Sequence, residues 1–258
     1  MKTIKVNLSE KLEKIELHIF ADEHIGDALC DMPRLKERIK YVAETPNAYC
    51  ILNGDILDNA SRSSIGDIET RELNIMEQIH HGVELFAPIK DKILCITNGN
   101  HENRAFRKEG IDISKLVALQ LGLGDVYTPA SALLFLRFGK MSSHHNGRHV
   151  LYTIFCNHGS GGGRKEGAKA IRLADMASIV DADIYIHSHT HLGMIMKQGF
   201  FRTDLTSSTV QHVTKLFVNT SSNLGYGGYG EAQEFKPNSK DTPVIYLNGK
   251  KKEMSAEL

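Results

Sequence analysis

The stretch "KILCITNGNHENR", residues 92 to 104, is apolar through Ile96 and then turns abruptly to Asn, Gly and His. A short continuous apolar run bounded by turn residues reads as a buried β-strand, which puts Asn98, Gly99, Asn100 and His101 on the loop that leaves it. The same pattern recurs along the chain. "LHIF" leads into "ADEHIGD", "YCIL" into "NGDILDN", "TIFC" into "NHGSGGG", and "IYIH" into "SHTHLG". Ligands of open α/β sheets bind beyond the carboxyl ends of the strands, so these five loops are expected to converge on one crest.

Between the strands lie helical patterns. One follows Asp31 as N-cap, with Leu35, Ile39 and Val42 on one face. A second carries Ile75, Ile79, Val83 and Phe86 and stops at Pro88, and a third runs from about Gly167 to Val180. This βαβα order predicts largely parallel strands with helices packed outside them. After His191 the pattern changes to "MIMKQGFF", "TVQHVTKLFV" and the Gly-rich "NLGYGGYGE", with no low-complexity linker. Residues 1–258 are therefore expected to form a single domain, with the motifs in about 15–195 and the remainder completing a second sheet. "LGYGGYG" reads as a turn, with Tyr226 and Tyr229 as the alternative of substrate-stacking residues.

Bulk properties narrow the classes. At 258 residues and 41% hydrophobic the chain can bury a sizeable core, and its formal net charge of zero gives no global field for a nucleic acid or a membrane. The start, "MKTIKVNLSE", lacks the apolar core of a signal peptide, and no apolar run approaches the roughly 20 residues of a membrane span. A cytoplasmic location with no membrane partner is the expectation; oligomeric state is left open. Cys30, Cys50, Cys95 and Cys156 form no CxxC pair and read as free thiols, mostly buried.

The polar residues at the strand ends carry the chemistry. Carboxylate, imidazole and amide oxygen without thiolate form a mixed ligand set suited to manganese, iron or zinc. Asp22, His24, Asp55, Asn100, His158, His189 and His191 exceed the needs of one ion, whereas two ions sharing a carboxylate would use them all. Such a pair, about 3.5 to 4 Å apart, clamps the attacking and leaving oxygens of a phosphoryl centre. Metal-assisted phosphoester hydrolysis is the reaction this set suggests.

In that order the blocks resemble the calcineurin-like metallophosphoesterase family, whose pattern is D-x-H, GD-x-x-D, GNH[D/E], H and GH-x-H. Here they stand as Asp22-Glu23-His24, Gly54-Asp55-Ile56-Leu57-Asp58, Gly99-Asn100-His101-Glu102, His158-Gly159 and Ser188-His189-Thr190-His191. The resemblance implies an α/β fold, a four-layer α/β/β/α sandwich of two mixed β-sheets flanked by helices. It also implies that Asp22, His24 and His191 bind one metal, that Asn100, His158 and His189 bind the other, and that Asp55 bridges them. By the same resemblance a metal-bridging hydroxide attacks phosphorus, His101 acts as general acid or stabilises charge at the leaving group, and Asp58 orients His101. The family's glycine before the last motif is Ser188 here, which predicts a slight loop adjustment with ligation retained.

Three functional classes follow: a phosphodiesterase or nuclease first, a phosphomonoesterase acting on a nucleotide or phosphoprotein second, and a non-catalytic scaffold third. The family's phosphoprotein branch has Arg directly after the Asp of the second motif; here Asn59 follows Asp58 and Arg62 lies further on. Arg164, within a Gly-rich run before a helix, is a candidate phosphate ligand. Lys165, Lys169 and Arg172, with Arg104, Arg107 and Lys108, form either a basic rim for a nucleic-acid backbone or an ordinary solvated surface. His187 reads as a hydrogen-bonded strand-end neighbour of the ligands.

Overall fold

The apolar runs become the strands of two facing sheets. The structure, a computed structural model, describes all residues except 61–72, 142–147 and 162, so Arg62 lies outside the described residues. One sheet holds β2 (Lys14–Phe20), β3 (Ala48–Asn53), β4 (Ile93–Thr97) and the short β5 (Tyr127–Thr128), all parallel, with β11 (Val244–Asn248) and β12 (Met254–Glu257) added antiparallel beside β2. The other runs in the order β1 (Lys2–Asn7), β6 (Ala132–Phe138), β7 (Val150–Cys156), β8 (Ile184–His187), β10 (Thr209–Asn219) and β9 (Met194–Asp204).

Alternation along each strand sorts its residues between two cores. Leu17, Ile19, Ile51 and Cys95 face Leu134, Tyr152, Ile154, Ile186 and Val218 across the gap between the sheets. On the outer side of the first sheet, Phe20, Cys50, Leu52 and Ile96 pack against α1 (Met32–Glu44), α2 (Ile75–Phe86) and α4 (Ile113–Gln120), which bury Leu35, Ile39, Ile79, Phe86 and Val117. Beyond the second sheet, Phe155, Tyr185 and Phe217 meet Leu173 of α5 (Glu166–Asp175). The result is the expected four-layer α/β/β/α sandwich. All four cysteines are free, three of them buried and Cys30 half-buried.

Both sheets are mixed, as the resemblance implies, because β6–β7, β9–β10 and β11–β12 pair antiparallel among the parallel strands. Other details differ from the sequence reading. The tail does not only complete the second sheet: β9 and β10 join it, but β11 crosses back to the free edge of β2 and brings β12 with it. The third helix ends at Asp175 and tightens into a 3₁₀ turn, Met176–Ser178, instead of running to Val180. Helix α3 (Asn100–Glu109) has no apolar stripe to announce it, for Glu102 is its only fully buried residue. Among the described residues no helix is long and apolar enough to cross a membrane.

Tyr152, fully buried on β7, ties the two sheets at the end opposite the crest. Its hydroxyl lies 2.8 Å from the Asn248 carbonyl and 2.7 Å from that of Glu253, and it accepts the Glu253 N–H at 3.0 Å, pinning the β11–β12 turn. Replacing it by phenylalanine orphans these groups, so Tyr152→Phe should lower the unfolding free energy by about 1–3 kcal/mol in a urea titration. An unchanged midpoint would show that the hydroxyl does not hold the turn.

Candidate metal centre

Each motif begins where a strand of the parallel part runs out. Asp22 and His24 follow β2, Asp55 follows β3, Asn100 and His101 open α3 just past β4, His158 follows β7, and His189 and His191 follow β8. The chain turns sharply at these points. Asp22, His24, Asp55, Asn59, His189 and His191 all have positive φ, between 45° and 64°. Asp, Asn and His tolerate this left-handed region better than other side chains, yet each such residue costs on the order of 1 kcal/mol. Close approach explains the two motif glycines: a Cβ on Gly54 would lie 2.7 Å from the Gly99 backbone, and one on Gly99 would lie 2.1 Å from Asp55 N.

These turns gather the side chains into two groups. Asp22, His24 and His191 can each offer one atom within 4.8 Å of the others, as can Asp55, His158 and His189. His191 Nε2 stands 3.2 Å from Asp22 Oδ1, and His158 Nε2 stands 3.1 Å from both Asp55 Oδ2 and the Asn100 amide oxygen. His158 Nε2 is also 4.0 Å from Asp22 Oδ1, so the groups adjoin. The His158 Nδ1–H donates to the Asn53 carbonyl at 2.8 Å, which leaves Nε2 as the nitrogen that could hold a metal. Beside them, His101 Nδ1 lies 2.7 Å from the Asp58 carbonyl and 3.2 Å from Asp58 Oδ1, with its ring edge-on to His24.

The donor set fits divalent cations. Asp22 Oδ1 and both ring nitrogens of His24 are buried with no hydrogen-bond partner among the described residues, and a metal would satisfy the oxygen and one of the nitrogens. Burial would raise the Asp55 carboxyl, but His158, His101 and His24 hold it well below the carboxylate range; His101 and His24 do the same for Asp58. Burial opposes charge on His158, yet Asp55 and Asp22 push it up to about 10. His101 is likewise raised against burial by Asp55 and Asp58, whereas burial and the His158 charge take His189 down to about 4.

Several residues of the site escaped the sequence reading. The Glu102 carboxylate accepts main-chain N–H groups from Asp55, Ile56, Leu57 and Gly99 at 2.7–3.1 Å. Asp22 is held from the far end of the chain: its main-chain oxygen accepts from Ser222 Oγ at 3.1 Å and Asn223 N at 3.0 Å, and its carboxylate accepts from His189 N at 3.0 Å. A usable signal was present, because "KLFVNTSSN" is a sixth apolar strand ending in polar residues. Glu23, between two ligands, points away into a 2.7 Å ion pair with Arg38. His187 is the neighbour expected, its Nδ1 2.7 Å from Asn219 Oδ1. Arg164 is exposed, with its guanidinium 5.3 Å over the Phe235 ring. Tyr226 is exposed on its turn.

The two histidines set opposite flanks of a pH profile. A group raised in the fold stabilises below its unfolded value and loses that contribution as pH climbs through its folded value, so His158 favours the metal-free fold below 6.5 and ceases to do so toward about 10. His189, depressed to about 4, contributes above 6.5 and loses it as the medium turns acid. Thermal melts in chelator should therefore peak near neutrality. A melting temperature that climbs steadily from about pH 5 to about pH 9 would contradict the His158 placement, and one that falls steadily over the same range would contradict that of His189.

No protein-family model and no curated protein matches the sequence. Among solved structures, the chain is similar to a conserved Streptococcus pneumoniae TIGR4 protein described as a predicted phosphoesterase, at 15% identity and a TM-score of 0.35, over 92% of this chain and 85% of that one. It is similar to a single mutant of Vps29 from Entamoeba histolytica, at 13% identity and 0.43, over 94% and 90%. A Pseudomonas putida nuclease, MPE, matches at 12% identity and 0.35, over 93% and 87%. With its five motifs at the strand ends of two facing mixed sheets, the chain has the four-layer α/β/β/α architecture that the resemblance implies.

Proposed function

We propose that this protein is a dimetal phosphoesterase acting on phosphodiesters, nucleic acid among them. The observation that carries the reading is the meeting of the Asp22/His24/His191 and Asp55/His158/His189 groups beside a histidine anchored by Asp58. Asp22, His24 and His191 would hold one cation, His158, His189 and Asn100 the other, and Asp55 both. Two divalent cations there, manganese first and iron or zinc otherwise, would supply an activated water and neutralise charge on the phosphoryl oxygens.

The remaining work falls to the chain's own groups. Asp58 occupies His101 Nδ1, so the proton at Nε2, 4.0 Å from Asp55 Oδ2, is the one aimed outward. His101 is raised above the ordinary imidazole value, which keeps that proton available for the leaving-group oxygen near neutral pH. A positioned donor of this kind contributes about 10²- to 10⁴-fold in rate. The His101 and His191 side chains keep 20% and 30% of their surface open, so substrate has access here. On α3, Arg107 and Lys108 are exposed a few residues after His101, which suits the flanking charge of a polymeric diester. Asn59 in place of the phosphoprotein branch's Arg is buried and donates to the His101 carbonyl at 2.7 Å.

The manganese-loaded protein should hydrolyse bis-p-nitrophenyl phosphate and cleave single- or double-stranded DNA. Preference for p-nitrophenyl phosphate over the diester would move the assignment to phosphomonoesters, and inactivity on all of them would remove the enzymatic reading in favour of a scaffold. His101→Ala should keep its metals and lose about 10²- to 10⁴-fold in kcat. Asp55→Asn should reduce bound metal in elemental analysis. Wild-type turnover in either variant would contradict its role.

A further inference from the structure

Ser188 stands where the resembled family has glycine, and its side chain is fully buried at the end of β8. Its Oγ accepts a hydrogen bond from Asn53 Nδ2 at 2.8 Å. Asn53 closes β3, in the opposite sheet, so this bond crosses from one sheet to the other among the loops that carry the ligands.

The rest of the Asn53 amide and its main-chain carbonyl are also engaged. Nδ2 gives its second proton to the Asn157 carbonyl at 3.1 Å, and Oδ1 accepts from Thr97 Oγ1 at 2.9 Å. The main-chain carbonyl takes the His158 Nδ1–H at 2.8 Å. From its own side, Ser188 N donates to the His158 carbonyl at 3.0 Å. His158 is thus held by its ring through Asn53 and by its backbone through Ser188. The residue after Ser188 is His189, whose backbone sits at φ 64°, a conformation that persists only where its surroundings enforce it. With glycine or alanine at 188, one Asn53 proton loses its acceptor in a dry interior and the amide is free to turn.

We propose that Ser188 is a positioning residue, whose hydroxyl locks Asn53 across the two sheets and so fixes His158 and His189 for metal capture. This rests on the dimetal reading above. It also revises the expectation of a loop that merely accommodates an extra side chain: the serine is bonded into the support of the ligands.

The test is calorimetric titration of manganese into metal-stripped wild type, Ser188→Ala, Asn53→Ala and the double variant, with thermal melts of each in chelator. Ser188→Ala should remain folded and bind one of its two ions about 10-fold more weakly, the usual order for removing support from behind a ligand. In the double variant the Ser188 change should have little further effect, because its partner is already gone. Ser188→Cys, which keeps a weak acceptor of similar size, should fall between serine and alanine and stands in if alanine does not fold. Unaltered manganese affinity in Ser188→Ala, whether or not its melting temperature drops, overturns the proposal, as do additive losses in the double variant. Wild type that takes up neither manganese, iron(II) nor zinc overturns the dimetal reading and this inference with it; binding by wild type that Ser188→Ala matches overturns this inference alone.

Discussion

One buried carboxylate organises the crest. Glu102 accepts Asp55 N at 3.0 Å and Gly99 N at 3.1 Å on one oxygen, Ile56 N at 2.7 Å and Leu57 N at 2.9 Å on the other. Two loops that carry ligands are thereby fastened to a single side chain in the first turn of α3. Asp55 returns the connection by accepting His101 N at 2.8 Å, so the acid candidate and the shared carboxylate move as one body. Burial and the Asp55 charge push the Glu102 carboxyl up to about 7, against four N–H donors that favour its ionised form. Removing the acceptor would strand four main-chain donors, at about 1–3 kcal/mol for each that finds no water.

The same fastening makes the left-handed backbone affordable. Asp22, Asp55 and His189 turn their side chains inward from conformations that a free loop would leave, and each is held by hydrogen bonds from another loop or element. The strain is met by the bonds that folding supplies. Oxygens and nitrogens crowd together here, with His158 Nε2 3.1 Å from Asp55 Oδ2 and 4.0 Å from Asp22 Oδ1, and the two carboxylates raise its imidazole against burial.

Much of this was legible in the sequence, for physical reasons. Parallel strands buried on both faces read as unbroken apolar runs, so β2, β3, β4, β7 and β8 stood out, and the residue types that leave them marked the crest. The cap at Asp31 and the stripe of Leu35, Ile39 and Val42 marked α1 as clearly. Helix α3 was hidden because polar bonds to Glu102, not an apolar face, hold its start. The work of Glu102 and Asn53 was hidden because it depends on loops far apart in sequence meeting in space. The division of the tail between two sheets was hidden because β11 carries the same alternation whichever edge receives it.

The grip of Ser222 and Asn223 on Asp22 has a further consequence, for how the chain closes on itself. The Ser222 bond joins residues 200 positions apart, so the loop after β2 reaches its folded form only once the segment from Thr220 to Asn223 has docked against it. A contact of such sequence separation is rewarded only after the entropy of closing the intervening chain has been met, here by the strands between. The first motif of the sequence is thus completed by the loop that leaves β10.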